Sequence, residues 1–289
     1  MARHTDGMLL LLPADPLRPR RPDEHFAAEA AAAKDAGLDV ALIDHDALAD
    51  PGGAERAVAR VPNAGGTAIY RGWMLRADQY AALAAALEAR DVTLRTRAAQ
   101  YQRAHELPGW HAALSPITPQ AEWTHGDGER DFQLACERLG QGPAVLRDYV
   151  KSMKHHWHEA AYIPDVTDHT RAWKIASRFR ELREDDFTGG FVLRRFENFA
   201  SAETRTWWVD GTCRLTTPHP DTPNDAPPHI DLSPFAPLIA SLALPFVTAD
   251  LARRTDGTWR LIELGDGQVS DRPETTKADS FLSAILPLS

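Results

Sequence analysis

The sequence predicts a parallel α/β region followed by an α+β region built on antiparallel strands, and three observations carry that reading. In the first third, short apolar runs alternate with alanine-rich helical segments. After residue 115 the texture turns rich in Pro, Gly and Thr ("SPITPQAEWTHGDGE"), as at a domain junction. Beyond it, runs with strand character flank two Asp-Gly pairs, at 210–211 and 256–257, the dipeptide that favours a tight hairpin. The expected domains are therefore 1–115 and 116–289.

"MLLLL" (Met8–Leu12) reads as a buried strand, since it is far shorter than the roughly 20 residues of a membrane span and lacks a small-residue cleavage site. Asp23 caps the helix that follows, Gly37 ends it, and "LDVALID" is the next strand, which makes a βαβ unit. "GTAIYRGWML" and "DVTLRT" are two more strands around the helix "ADQYAALAAALEAR". No G-x-G-x-x-G follows the first strand, so a dinucleotide fold has little support. After the junction come a helix over Glu129–Leu139, the strand "PAVLRDYV", and a helix with Ala172, Ile175, Ala176, Phe179 and Leu182 on one face. The antiparallel signals follow: "GGFVLRRFENF", "ETRTWWV" and "TCRLTT", then a Pro-rich loop, a short helix near Pro234–Leu244 and the final hairpin. Trp207 and Trp208 read as packing residues.

The 289 residues carry a net charge of −9, which argues against nucleic acid or anionic membrane as a partner through bulk charge. Small molecules or another protein fit better. Cys136 and Cys213 have no metal-ligand spacing and read as reduced thiols of a cytoplasmic protein.

A two-residue turn at Asp256-Gly257 would set Thr255 opposite Thr258 and, counting outward, Asp250 opposite Glu263. Opposed like charges destabilise a ladder by some tenths of a kcal/mol, so the pattern implies a cation between them or else an open, solvated sheet face. Asp266 follows three residues after Glu263, where Gly265 and Gly267 let the backbone bend, and could add a third oxygen ligand for a hard cation such as Mg²⁺. Basic residues also recur inside apolar strands: Arg147 and Lys151, Arg194 and Arg195, and Arg205. Cations are seldom buried unpaired, so these heads either converge on an anion or line an outward face. A phosphate bridged by Mg²⁺ satisfies both sets. Arg71 ends a parallel strand, where it can contact a substrate carboxylate or form a structural ion pair. His155, His156 and His158 lie on an expected exposed loop, solvated or touching nucleotide.

The order of these pieces resembles the ATP-grasp superfamily. The steps are "VLRDYVKS", "MKHHWHE", the Trp173 helix, "FVLRRFENF", "SAETRTWWVDG", "VTADL" and "LIELGD", over roughly Gly142–Pro273, and the α/β region before them is similar to the domain that precedes the ATP-grasp domain in those enzymes. The nearest resemblance is to a clade marked by two arginines and a lysine, to which "YRGWML" and "HELPGW" also belong. It implies ATP and Mg²⁺ as cofactors, with Asp250, Glu263 and Asp266 holding the metal. It implies that Arg147, Lys151 and Lys154 serve the ATP phosphates, that Arg195 also binds the cofactor, and that Glu197 serves the adenine, Glu203 the ribose, and Arg205 the γ-phosphate or an acyl phosphate, with Arg205 and Lys151 as the catalytic cations. Asp266 stands where most members have Asn, and "SMKHHWHEA" replaces a glycine-rich flap. The implied activity is an ATP-dependent carboxylate ligase that joins a small-molecule or peptide carboxylate to a nucleophilic acceptor, giving ADP and phosphate. A non-catalytic nucleotide-binding module and a metal-dependent hydrolase are the alternatives.

Overall fold

A computed structural model describes residues 8–63 and 65–286. Four parallel strands, β1 (Met8–Pro13), β2 (Asp39–Ile43), β3 (Gly66–Tyr70) and β4 (Val92–Leu94), form a sheet in the order β2-β1-β3-β4. Helices α1 (Ala27–Asp35), α2 (Ala54–Ala57) and α3 (Ala77–Glu88) lie in the crossovers. The unbroken leucine run of β1 has a simple cause: both faces of that strand are covered. Leu10 and Leu12 enter one core with Phe26 and Ala30, while Leu11 enters another with Ala41 and Tyr80. As expected, Asp23 caps the turn ahead of α1, accepting the His25 N–H at 2.9 Å.

A second, antiparallel sheet holds β5 (Ala121–Trp123), β6 (Ala144–Arg147), β7 (Tyr162–Ile163) and β8 (Val192–Arg195) in the order β5-β8-β6-β7. Its strands follow helices α4 (Ala98–His105) and α5 (Leu107–Leu114), and α6 (Glu129–Leu139) and α7 (His169–Arg183) pack on it. The buried face of α7 is the one the spacing predicts, with Ala172, Ile175, Ala176 and Phe179 in a core that also contains Phe132 and Phe191.

The third sheet has the order β10-β9-β11-β12, from β9 (Thr204–Val209), β10 (Thr212–Pro218), β11 (Phe246–Arg253) and β12 (Trp259–Asp266), with helices α8 (Ala236–Ser241) and α9 (Ala278–Ile285) nearby in sequence. Its two Asp-Gly turns differ. Asp210 and Gly211 both have positive φ, 48° and 75°, and set Thr212 opposite Val209, a two-residue loop as expected. At the second turn only Gly257 has positive φ. Arg254 donates its N–H to the Thr258 carbonyl and Gly257 its N–H to the Arg254 carbonyl, both at 2.9 Å, so three residues form the loop. The Asp256 carboxylate takes the Thr258 N–H that a two-residue loop would leave for Thr255. The closing pair is thus Arg254 with Thr258, and the outward count that sets Asp250 against Glu263 no longer starts where the sequence predicts.

The chain forms two compact units, which divide it differently from the expected boundary at 115/116. One unit takes the chain up to Ala104, Glu203–Asp250 and the chain from Glu263 onward; the other takes His105–Ala202 and Leu251–Ile262. The cause is apolar burial. Trp207, Phe246 and Phe281 share one core with Leu10, Leu12 and Phe26, so the late strands β9 and β11 complete the first unit. No helix among the described residues is long and apolar enough to cross a membrane.

Candidate functional site

In the first unit the cation beside Asp250 is Arg205. Strand pairing sets Thr217 opposite Arg205 and Pro218 opposite Thr204, which brings His219, the next residue, alongside. Arg205 Nε and Nη2 donate to the two oxygens of Asp250, each at 2.8 Å, in a fork-to-fork pair. Nη1 donates to the Asp271 carbonyl at 3.0 Å, and Nη2 lies 3.3 Å from His219 Nε2. His219 Nε2 is also 3.5 Å from Asp250 and 3.8 Å from Glu203. Burial alone would lower the Arg205 pKa, but Asp250, then Glu263 and Asp271, raise it above its ordinary value. Burial pushes Asp250 up, yet Arg205 and His219 hold its carboxyl well below the usual range. His219 is raised because the Asp250 hydrogen bond outweighs its burial. Asp250 is thus the bonded partner of Arg205, and Glu263 adds to the negative field at the same guanidinium.

Glu203, His219 and Asp250 offer ligand atoms within 4.8 Å of one another, and among the described residues this is the one three-ligand group of that kind. Of the three expected metal ligands only Asp250 belongs to this group, and Asp266 has partners of its own. Residues three apart on an extended strand point to opposite faces. Asp266 Oδ1 accepts the Gln268 N–H at 2.9 Å and Nε2 at 3.1 Å, and Gln268 Nε2 in turn meets Tyr80 Oη at 2.9 Å. Asp266 Oδ2 is buried without a hydrogen-bond partner among the described residues. Burial, only partly offset by Gln268, pushes its pKa up to about 7.

Arg71 resolves as the structural ion pair. It is 1% exposed, its Nε and Nη2 bind Glu29 at 2.9 and 3.0 Å, and its Nη1 binds the carbonyls of Gly267, Gln268 and Ser270. With all three nitrogens engaged it clamps the segment after β12 to α1, and the substrate-contact reading falls.

The second unit holds the other expected residues. Arg147 is 5% exposed and donates to the carbonyls of Asp148 and Val150, so it shapes the turn after β6. The sequence reading missed Asp148, which is fully buried. Its Oδ1 accepts the N–H groups of Val150 and Lys151 at 2.8 and 2.6 Å, and its Oδ2 accepts Arg183 Nε at 2.9 Å. The signal was available: an Asp two residues before a Val in "RDYVKS" is an Asx turn. That turn presents Lys151 on the surface, and Lys154 is exposed beyond it. Arg194 and Arg195 point apart, as strand neighbours must. Arg194 donates to Thr118 Oγ1 at 2.8 Å and to the Ile262 carbonyl, while Arg195 donates to the carbonyls of Leu139 and Gln141, so both tie this unit together. Glu197 pairs with Arg260 at 3.0 and 3.1 Å. His156 lies 3.3 Å from Glu159, and His155 and His158 are exposed.

A model of one protein family matches residues 138–285, more than half of the chain: the ATP-grasp domain, family 3 of the clade marked by two arginines and a lysine. The chain belongs to that family. Solved ATP-grasp structures share the fold, with its mixed parallel and antiparallel sheets. The RimK domain protein ATP-grasp from Sphaerobacter thermophilus DSM 20745 is 15% identical, with a TM-score of 0.59 and 96% of each chain covered. The D-cycloserine synthetase DcsG is 15% identical at a TM-score of 0.62, covering 96% of this chain and 98% of that one. The ATP-grasp ligase PsnB, solved with minimal precursor, Mg and ADP, is 11% identical at 0.57, with 96% of each chain covered. No curated protein matches the sequence.

Proposed function

We propose that this ATP-grasp protein is an ATP-dependent carboxylate ligase using Mg²⁺. The observation that carries the reading is the excess of negative charge around Arg205. Asp250 is held ionised beside Arg205 and His219, and Glu263, Asp271 and Glu203 add to the negative field there, Asp271 also meeting His25 at 3.0 Å. That surplus, made of hard oxygen donors, suits a divalent cation carrying polyphosphate. Asp250 and Glu263 are the metal ligands in this reading, and Asp266, engaged with Gln268, is left out. The solved relatives support it: PsnB was captured with Mg and ADP, and DcsG is a synthetase.

In the reaction a carboxylate oxygen of the substrate attacks the γ-phosphorus of ATP, ADP leaves, and an amine or similar nucleophile displaces phosphate from the acyl phosphate. The bound metal supplies charge neutralisation on the phosphates. The chain's own residues do the rest. Arg205 exchanges its carboxylate for the transferring phosphoryl group, and Asp250, once released, keeps its charge. His219 takes up hydrogen-bonding to Asp250 when Arg205 turns away. Lys151, held on the Asp148 turn, and Lys154 supply cations to the phosphates, with Arg147 fixing the backbone under them. Glu203 serves the ribose and Glu197 the adenine; Arg195 acts by bracing the loop at Leu139–Gln141. The free thiols Cys136 and Cys213 fit a cytoplasmic setting.

The test is ADP release from Mg·ATP with pools of amino acids, peptides and other carboxylates, each with and without an amine pool. ADP formation that needs both acid and amine, and that Glu263→Gln abolishes, is the expected result. ATP binding without turnover, or hydrolysis indifferent to the added acid, would refute the ligase.

A further inference from the structure

All three nitrogens of Arg205 are engaged. Nε and Nη2 take both oxygens of Asp250 at 2.8 Å, Nη1 takes the Asp271 carbonyl at 3.0 Å, and the guanidinium carbon lies 5.9 Å from the centroid of the Trp207 ring. We propose that this arginine bars bare Mg²⁺ from the Asp250 carboxylate and admits the ion only together with a polyphosphate. The gate rests on reading Asp250 and Glu263 as metal ligands, but it does not require turnover.

A bare cation and the guanidinium compete for one carboxylate. To reach Asp250, Mg²⁺ must stand beside a fixed positive charge or drive it away. If Arg205 leaves, it gives up a fork-to-fork pair and strands a charge that is only 11% exposed, and a metal ion brings no acceptor to replace the one lost. A metal–polyphosphate complex brings both parts: the ion for Asp250 and Glu263, and phosphate oxygens that match the guanidinium fork. The exchange then keeps every charge paired. Ion and phosphate therefore raise each other's affinity, and by the same factor.

His219 holds the carboxylate through the exchange. The Asp221 N–H, whose direction the backbone fixes, donates to His219 Nδ1 at 3.1 Å, so the ring proton is on Nε2, 3.5 Å from Asp250 and 3.8 Å from Glu203. Arg205 Nη2, 3.3 Å from the same Nε2, already donates to Asp250. A guanidinium and an imidazole N–H are thus aimed at one carboxylate, and departure of the first leaves the second in place. A ring in that tautomer is a donor and not a metal ligand. Glu203, His219 and Asp250 accordingly do not make a nitrogen-bearing metal centre, and the ions that suit the site are hard ones held by oxygen.

The experiment is binding of Mn²⁺, as a stand-in for Mg²⁺, to the full chain without nucleotide, followed by loss of the free-ion paramagnetic resonance signal. The proteins are the parent, Arg205→Gln, Arg205→Lys, and Arg205→Gln combined with Asp250→Asn. Arg205→Gln should bind the ion at least about tenfold more tightly than the parent, the scale of one charge-assisted contact, while Arg205→Lys, which keeps a cation there, should stay near the parent. Adding Asp250→Asn to Arg205→Gln should remove the gain. Equal affinity in the parent and Arg205→Gln, or a gain that survives Asp250→Asn, would overturn the proposal. Should the variants fail to fold, the parent decides alone: Mg²⁺ without nucleotide should leave its melting temperature unmoved, and Mg·AMPPNP should raise it. A rise with Mg²⁺ alone as large as with Mg·AMPPNP would overturn the gate. None of these readings uses ADP release, so a gate in a protein that forms no ADP removes only the ligase, and turnover by a parent that takes up bare Mn²⁺ as well as Arg205→Gln does removes only the gate.

Discussion

Arg71 and Arg205 each grip a carboxylate with two hydrogen bonds inside the first unit, yet the charge around them differs in sign. Glu29 faces two cations, with Arg272 Nε 3.4 Å away as well as Arg71, and Arg71 spends its remaining donors on backbone carbonyls. Each nitrogen of the Arg71 guanidinium is thereby engaged within the fold. Around Arg205 the anions outnumber the cations, and His219 and Glu203 stand beside the pair instead of closing it. A buried ion pair by itself says little about function, because burial costs each charge several kcal/mol whatever the purpose. The local imbalance is what separates a clamp from a site.

The largest effect should come from opening the clamp. Glu29→Gln leaves Arg71 and Arg272 buried beside a neutral group, and should cost about 3–5 kcal/mol in urea unfolding. Because this pair belongs to the fold alone, Mg·ATP should stabilise whatever folded protein remains as much as it does the parent. A loss below about 1 kcal/mol would mean that Arg71 is held by its carbonyls and that the comparison is misdrawn.

Asp250→Asn should come next. It strips Arg205 of its charged acceptor and should cost roughly 1.5–3 kcal/mol in the metal-free protein, the scale of a hydrogen bond to a charged group. Because the folded pKa of Asp250 is depressed, its contribution is present above the unfolded carboxylate range and disappears only as pH falls through the folded value. Because Asp250 also raises His219, the gap between parent and Asp250→Asn in melting curves should be widest near about pH 5, narrow as pH rises through the imidazole range, and keep at about pH 8 the part owed to Arg205. A gap that vanishes by about pH 8, or that widens as pH rises, would contradict the assigned pairing.

Asp266 should behave in the opposite sense. Its folded pKa, about 7, lies above its unfolded value, so its contribution is full below about pH 4 and is lost as pH rises through 7. His219, also raised, loses stability in the same direction, and it does so in any variant that retains both it and Asp250. Asp266→Asn keeps a carbonyl acceptor for Gln268 and cannot ionise, so its melting temperature should fall less than the parent's between about pH 5 and pH 8. Parallel curves would place the unpartnered Oδ2 elsewhere than in a dry interior.

Much of this arrangement can be read along the chain where the cause is local. The leucine run of β1, the Asp23 cap, the buried stripe of α7 and the Asp210-Gly211 turn follow from period and turn chemistry within a few residues. What escaped depends on partners far away in sequence. Whether Arg71 binds substrate or structure is decided by Glu29 and by carbonyls at 267–270. The partner of Asp250 is an arginine whose strand begins 46 residues earlier, at Thr204, and His219 arrives only through the register of β9 with β10. The compact units divide the chain differently from 115/116 for a related reason: texture marks a junction, but it does not show that Trp207, Phe246 and Phe281 return to the first core. The second Asp-Gly turn failed because the Asp256 side chain competes for the Thr258 N–H.

The smallest change in the empty protein carries the sharpest test of the charge imbalance at Arg205. Glu263→Gln removes one of the surplus anions without touching the Arg205–Asp250 fork, so metal-free stability should move by no more than some tenths of a kcal/mol. The ligand response should change completely, since a ligand stabilises only by RT ln(1 + [L]/Kd) and the loaded site loses a carboxylate that holds it. The measurement is a pair of melting curves for parent and Glu263→Gln, with and without Mg·ATP. A clear rise for the parent and none for the variant is the predicted result; an equal rise in both would show that the carboxylates around Arg205 serve only to hold an arginine.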